Sequence, residues 1–335
     1  MKKVQPSILN IQYLILAITS RCNLCCRYCY QKAAKDGEDM TDEVLDNALS
    51  LIAGQNAPCH VQITGGEPTL MPARIARIGD KCRAMPCMPT LAIQTNGTLL
   101  TPELVQLLRK YAVQVGISID GPPDIQEDIR GKAVETLRGL KLLEEYNIPF
   151  RVTTVVTERN IHHLDKLVLL LAGFTNSRGI GLDLLVDKGR ATSEKVRPTS
   201  HQDLQKGMRQ LVATLTMVNS RRRIPLRLRE FDLLNRRSTR HHFCQAATGQ
   251  SLAVHPDGTL FPCGQTMADP VFSMGTVIEP DIPENLPLTA IRLTSHRCRT
   301  CPLDGRCPGD CPSRTHYNLD RNVPLVCTMY KALVE

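Results

Sequence analysis

The chain contains no tryptophan and only seven tyrosines and six phenylalanines in 335 residues. Surfaces that stack unpaired bases interleave aromatic rings with cations, so this scarcity argues against nucleic acid as a partner. Also missing is any run approaching the roughly 18 apolar residues that cross a bilayer, and no membrane association is expected. The first residues, Met1-Lys2-Lys3-Val4-Gln5-Pro6, lead into a strand-like stretch without a small-residue cleavage site. No export signal is read there, and a cytoplasmic location is the expectation. Acidic residues are outnumbered, 33 against 41 basic ones. The excess is local, because between Arg221 and Phe243 eight arginines face only Glu230 and Asp232. That stretch reads either as a solvated face or as a docking surface for an anion such as an acidic peptide.

Cysteine, by contrast, is abundant. Fourteen cysteines without an export signal argue for metal or redox chemistry over a disulfide framework. Four lie in the stretch Ser20–Tyr30, directly after the apolar run Leu14–Ile18. Cys22-x3-Cys26-x2-Cys29 lets one loop wrap three sulfurs around a face of an iron–sulfur cube and leaves the fourth iron without a protein ligand. A second set comprises Cys244, Cys263, Cys298, Cys301, Cys307, Cys311 and Cys327. Prolines directly after Cys301, Cys307 and Cys311 keep these loops from becoming helical, which suits a chain that wraps a cluster. Seven thiolates exceed what one cube takes. A zinc tetrathiolate from Cys298, Cys301, Cys307 and Cys311 would satisfy the local spacing too. Cys25, Cys59, Cys82 and Cys87 fit neither pattern and read as small hydrophobes or incidental thiols.

Between residue 13 and about 220, short β-like runs alternate with amphipathic helical windows, the pattern of βα units around a parallel sheet. Strands are predicted at 13–19, 60–64, 90–95, 113–119, 150–156 and 180–186. Thr41, Thr101, Asn160 and Ser200 are predicted helix caps. Five polar or glycine-rich peptides each follow a strand: the cysteine loop, Gly65-Gly66-Glu67-Pro68, Thr95-Asn96-Gly97, Asp120-Gly121-Pro122 and Lys188-Gly189-Arg190. In a barrel these strand ends share the face where enzymes of that fold assemble their sites. The expected organisation is α/β: a partial (β/α)6 barrel of the TIM type over 1–220, a basic linker or helix over 221–243, and a small cysteine-rich domain over 244–335. That last part opens with a hairpin, Ser251–His255 and Thr259–Cys263, turning at Asp257-Gly258.

With Tyr28 just before its last cysteine and Gly65-Gly66-Glu67-Pro68 downstream, the cysteine loop resembles that of the radical SAM superfamily. The resemblance implies that Cys22, Cys26 and Cys29 hold a [4Fe–4S] cluster whose open iron chelates S-adenosylmethionine. It further implies a cofactor-binding set of Tyr28, Gly65, Gly66, Glu67, Pro68, Ser118 and Arg130. The later cysteines resemble a SPASM domain, with one auxiliary [4Fe–4S] cluster on Cys298, Cys301, Cys307 and Cys327 and another on Cys244, Cys263 and Cys311. Three clusters in all would serve an enzyme that cleaves S-adenosylmethionine to a 5′-deoxyadenosyl radical and removes a hydrogen atom from its substrate. An electron donor of the flavodoxin or ferredoxin type is implied.

Enzymes of that branch mostly modify peptides, which suggests a maturase that crosslinks or otherwise oxidises side chains of a ribosomally made peptide. An acidic leader segment of that peptide would dock on Arg221–Arg240, on the barrel or on another protein, since no separate recognition domain is read ahead of the barrel. Sulfatase maturation is disfavoured, because Gly264 stands where those enzymes carry aspartate and no cysteine lies between Cys244 and Cys263. Modification of a small cofactor precursor such as a tetrapyrrole, and a non-catalytic iron–sulfur or zinc protein, are the alternatives. No catalytic acid or base is identified.

Overall fold

Residues alternating between apolar and polar give each of the six predicted strands two unlike faces, and the sheet uses both. A computed structural model describes residues 10–55, 57–235, 242–291, 298, 300–318 and 324–334. The strands are β1 (Tyr13–Ala17), β2 (His60–Thr64), β3 (Thr90–Thr95), β4 (Gln114–Ser118), β5 (Phe150–Val156) and β6 (Ser177–Leu184). They pair in parallel and in chain order. One face presents Leu14, Leu16, Val61, Ile63, Ile93, Val115, Ile117, Val152, Ile180 and Leu182, all buried beneath helices. Each such side chain contributes about 1.5–3 kcal/mol by leaving water. The opposite face presents Ile15, Gln62, Gln94, Ser118, Thr153 and Asp183, which are half-buried. A closed barrel fills this interior with bulky apolar layers; here it is polar and only partly covered.

Three short strands extend the sheet to nine in the order β7-β6-β5-β4-β3-β2-β1-β8-β9. β7 (Arg227–Leu228) pairs with β6, β8 (Ser251–Val254) runs parallel to β1, and β9 (Leu260–Phe261) returns antiparallel to β8. The predicted hairpin is therefore present, and its first strand continues the sheet of the barrel.

The helices are α1 (Asp42–Ala53), α2 (Pro72–Arg83), α3 (Pro102–Lys110), α4 (Pro123–Ile129), α5 (Ala133–Glu145), α6 (Leu164–Ala172), α7 (Arg190–Ser193), α8 (His201–Asn219), α9 (Arg229–Leu234), α10 (Pro312–Tyr317) and α11 (Leu325–Ala332). Thr41, Thr101 and Ser200 cap α1, α3 and α8 by accepting from the amides of Val44, Leu104 and Asp203. Asn160 departs from expectation. A single 3-10 turn, Ile161–His163, precedes α6, and the Asn160 amide instead donates to the carbonyls of Asp120 and Val155 while its oxygen accepts from Thr157. It joins the ends of β4 and β5 and leaves the helix uncapped. The main core also takes Leu252, Val254 and Leu260 from the hairpin and Leu325, Val326 and Met329 from α11. None of the described helices is long and apolar enough to cross a membrane.

Candidate active site and metal centres

Four strand-end peptides grip the fifth. The amides of Gly66 and Glu67 donate to the carbonyls of Thr19 (2.7 Å) and Arg21 (2.8 Å) at the start of the cysteine loop. A Cβ on Gly66 would lie 2.1 Å from the Arg21 oxygen, so only glycine permits this approach. Asn96 donates to Asn23 (2.9 Å). From the end of β6, Arg190 donates through Nε to the Cys26 carbonyl and through Nη1 to that of Ala33, and its amide donates to Cys29. Gly189, at φ 68°, leaves no room for a side chain beside the carbonyls of Cys29 and Tyr30.

The remaining grip is electrostatic. The Tyr28 hydroxyl donates to Asp120 Oδ2 (2.5 Å) and accepts from Arg130 Nη1, and Arg130 lies 3.7 Å from the same carboxylate. Tyr28 and Asp120 are buried, and burial holds the phenol well above its ordinary range although the Arg130 charge opposes this. Arg130 Nε is buried and finds no partner among the described residues. Glu67 is fully enclosed: its carboxylate accepts from Thr69 N (3.0 Å), Thr69 Oγ1 (2.5 Å), Thr95 Oγ1 (2.6 Å) and Asn96 N (2.8 Å). Burial pushes it up and these bonds pull it down. With Pro68 opening the turn that follows, Glu67 anchors β2 to β3. Ser118, on the inner face at the end of β4, accepts from Gln94 Nε2 (2.8 Å).

The ten cysteines of the two sequence patterns fall into three groups. Cys22, Cys26 and Cys29 pack with Leu24 and Ala33, and burial pushes Cys22 up to about 12. Cys244, Cys263 and Cys311 lie within electrostatic reach of one another, and burial raises Cys263 to about 12. Cys307 lies within reach of Cys298 and Cys301, and Cys327 of Cys298 and Cys307. Cys25 is exposed, Cys59 and Cys82 are buried, and Cys87 is half-buried.

A zinc tetrathiolate holds its sulfurs about 3.8 Å apart, from Zn–S bonds near 2.3 Å in a tetrahedron. Among the described residues, Glu38, His255 and Asp257 form the one group of three possible ligand atoms lying within 4.8 Å of one another. Among the described residues no three cysteine sulfurs lie that close to one another. The unpartnered Nε of Arg130 beside the first trio fits an anionic group of a bound cofactor. Beside the second trio a cavity of about 700 Å³ is lined by Tyr13, Ile15, Arg229, Cys244 and Cys263.

Sequence reasoning singled out the peptides containing Asp120 and Arg190 but not these side chains. Their roles depend on partners 92 and 164 positions away; the only signal was their place after a strand. Three arginines of the basic stretch are committed within the fold. Arg222 donates to the carbonyls of Ala172, Phe174 and Ser177, Arg227 pairs with Asp232, and Arg229 pairs with Asp183 and Glu230. Arg221 and Arg223 are exposed. Arg236, Arg237 and Arg240 lie outside the described residues.

Residues 16–171 match the family model described as the radical SAM superfamily. An uncharacterised protein of Methanocaldococcus jannaschii is 32% identical over 262 residues, 76% of this chain and 85% of that protein. An AdoMet-dependent heme synthase of Methanosarcina barkeri is 33% identical over 196 residues, and the chain spans about half its length (54%). Among solved structures, native anSMEcpe with bound AdoMet and Cp18Cys peptide superimposes with a TM-score of 0.76 at 23% identity, covering 96% of this chain and 95% of that one. Streptococcus suis SuiB bound to precursor peptide SuiA gives 0.65 at 16% identity, covering 91% and 73%.

Proposed function

As an enzyme that belongs to the radical SAM superfamily, the chain has its cofactor chemistry in view, and we propose that it oxidatively modifies side chains of a ribosomally made peptide. When bound, S-adenosylmethionine and its [4Fe–4S] cluster supply one-electron cleavage and a carbon radical that abstracts hydrogen. In this reading Cys22, Cys26 and Cys29 hold that cluster. The Gly65–Pro68 strand end, Ser118, Tyr28 and Arg130 would hold S-adenosylmethionine, Arg130 supplying a cation for its anionic group. Asp120 orients Tyr28 and Arg130, while Asn96 and Arg190 fix the cysteine loop. Two auxiliary [4Fe–4S] clusters would sit on Cys244, Cys263 and Cys311 and on Cys298, Cys301, Cys307 and Cys327.

The observation that carries the peptide reading is the half-covered polar inner face of Gln62, Gln94, Ser118, Thr153 and Asp183. It offers amide and hydroxyl partners to a polar chain entering beside the cofactor. The two solved structures of this fold with peptides bound support it. An acidic leader would meet Arg221 and Arg223, which are exposed and, unlike the exposed Arg227, have no ion pair with Asp232. A flavodoxin or ferredoxin would approach the depression of about 420 Å³ outside the cysteine loop, where Asn23, Cys25 and Lys132 line the surface.

The test is mass analysis of candidate short peptides incubated with reduced, reconstituted enzyme and S-adenosylmethionine. A peptide-dependent rise in 5′-deoxyadenosine with a matching loss of hydrogen from the peptide is expected. Turnover of a small tetrapyrrole precursor, and of no peptide, would favour the second reading, for which the heme synthase relative is the motive.

A further inference from the structure

Each of the three cysteine groups receives a backbone amide on one sulfur: Leu24 donates to Cys22 (3.4 Å), Gln265 to Cys263 (3.5 Å) and Gly309 to Cys307 (3.4 Å). At the second trio, Cys244, Cys263 and Cys311, side chains join in. Ser313, two residues after Cys311 in α10, is fully buried. Its Oγ lies 3.0 Å from Cys311 Sγ, on a line where either atom can donate, and it also donates to Gln265 Oε1. Cys311 Sγ lies 3.4 Å from the same Gln265 oxygen. Gln265 therefore stands against two sulfurs of the trio, Cys263 through its backbone and Cys311 through its side chain. The turn that carries it is fixed in turn by Lys188 Nζ, which donates to the carbonyls of Gln265 (2.9 Å) and Met267 (2.8 Å).

What a metal-bound sulfur can do sets the direction of these bonds. A cysteine ligand has given up its proton, so Cys311 Sγ can only accept. The proton on the 3.0 Å line is then that of Ser313. With its one proton directed at sulfur, the hydroxyl needs a donor, and the Gln265 amide supplies it by turning over to present Nε2 to Ser313 and Cys311, an exchange that leaves its shape unchanged. Every side-chain contact to Cys311 is now donated, inside a buried site where such dipoles are weakly screened. Reducing an iron–sulfur centre adds negative charge, and hydrogen bonds to its sulfurs are among the determinants of its potential. We propose that Ser313 and Gln265 are positioning residues that act through Cys311 to raise the reduction potential of the Cys244/Cys263/Cys311 centre, so that it takes up an electron more readily. This inference rests on the two-cluster reading above.

The experiment is a redox titration of the full-length reconstituted protein followed by electron paramagnetic resonance, with the trio's signal assigned by its loss in Cys244→Ala. Ser313→Ala should shift the trio's one-electron equilibrium toward the oxidised form roughly tenfold, a fall of ~59 mV in potential. Ser313→Thr keeps the hydroxyl and should stay near wild type. An equal fall in both variants would mark a packing effect and overturn the proposal. Gln265→Leu, which keeps the backbone bond to Cys263, should lower the potential by less. An unchanged potential in Ser313→Ala, with iron content intact, overturns the proposal and leaves the two-cluster reading standing. If Ser313→Ala loads less iron, Gln265→Leu decides, and an unchanged potential there overturns the proposal equally. About eight irons per wild-type chain in place of about twelve would remove the two-cluster reading, and this inference with it.

Discussion

Cys25 and Cys26 are chain neighbours with opposite surroundings. Cys25 is exposed, whereas Cys26 is buried and feels the Arg130 charge. Cys25→Ala should therefore leave iron content and S-adenosylmethionine cleavage near wild type, and Cys26→Ala should abolish cleavage; 5′-deoxyadenosine yield and iron analysis read both. The opposite outcome would mean a shifted ligand register. Tyr28 supports a second prediction. Tyr28→Phe removes the hydroxyl that bridges Asp120 and Arg130 and leaves both with one partner fewer in a buried site. That should cost about 1–3 kcal/mol, visible as a lower thermal midpoint, and weaken S-adenosylmethionine binding in equilibrium dialysis. Asp120 is where the sequence was least informative. As the first residue of Asp-Gly-Pro it reads as an ordinary turn, and nothing local announces that its carboxylate meets a tyrosine and an arginine from two other segments.

Among the elements, strands were legible because each must hide one face under helices, and that requirement is written as alternation in 13–17, 60–64 and 114–118. Partners were not. The parallel pairing of β8 with β1, and the existence of the two-residue β7, follow from tertiary proximity that alternation does not encode. Asn160 was misread as a cap for the same reason: its oxygen, which a cap would offer to helix amides, accepts from Thr157, while its amide donates to the carbonyls of Asp120, just past β4, and Val155 in β5. Two glycines separate loop packing from helix ending. Gly66→Ala should lower the thermal midpoint and iron occupancy, since overpacking of this kind costs about 1–3 kcal/mol or more. Gly54→Ala, at the end of α1 with φ −90° and open space around it, should be neutral or slightly stabilising.

Glu144 ties α5 to the segment entering β6 by accepting from the amides of Thr175 and Asn176. Burial pushes its carboxyl up, but these bonds outweigh that and hold it below the ordinary value of 4.5. Its contribution is thus present above pH 4.5 and lost as pH falls through the lower folded value. Glu144→Gln should flatten the decline of stability in that acidic window, as followed by denaturant midpoints across pH.

At the scale of the molecule, spacing marked the first trio, whereas the split of the later seven cysteines came from the resemblance to a SPASM domain, because spacing alone equally grouped Cys311 with Cys298, Cys301 and Cys307. The first trio rests on a rigid sheet. Between Cys301 and Cys311, by contrast, only Leu303 and Pro308 are buried, and the backbone bonds among the described residues there are local. A segment of this kind draws its order from bound metal. Iron chelation should therefore open a protease-sensitive site between Cys301 and Cys311 while the parallel sheet stays resistant, as mapped by mass spectrometry of limited digests. Uniform resistance would mean that the C-terminal part is held by packing alone.

The sheet ends in two strands, β7 and β9, of only two residues each. A strand that short offers almost no free backbone donors or acceptors for an incoming chain to zip against. The inner face can stand open to an extended peptide without the molecule joining copies of itself edge to edge. The same shortness denies a substrate the sequence-blind grip of strand addition, so discrimination among peptides falls to side chains. On the peptide reading proposed above, Gln62, Gln94, Thr153 and Asp183 would be the side chains that discriminate among substrates.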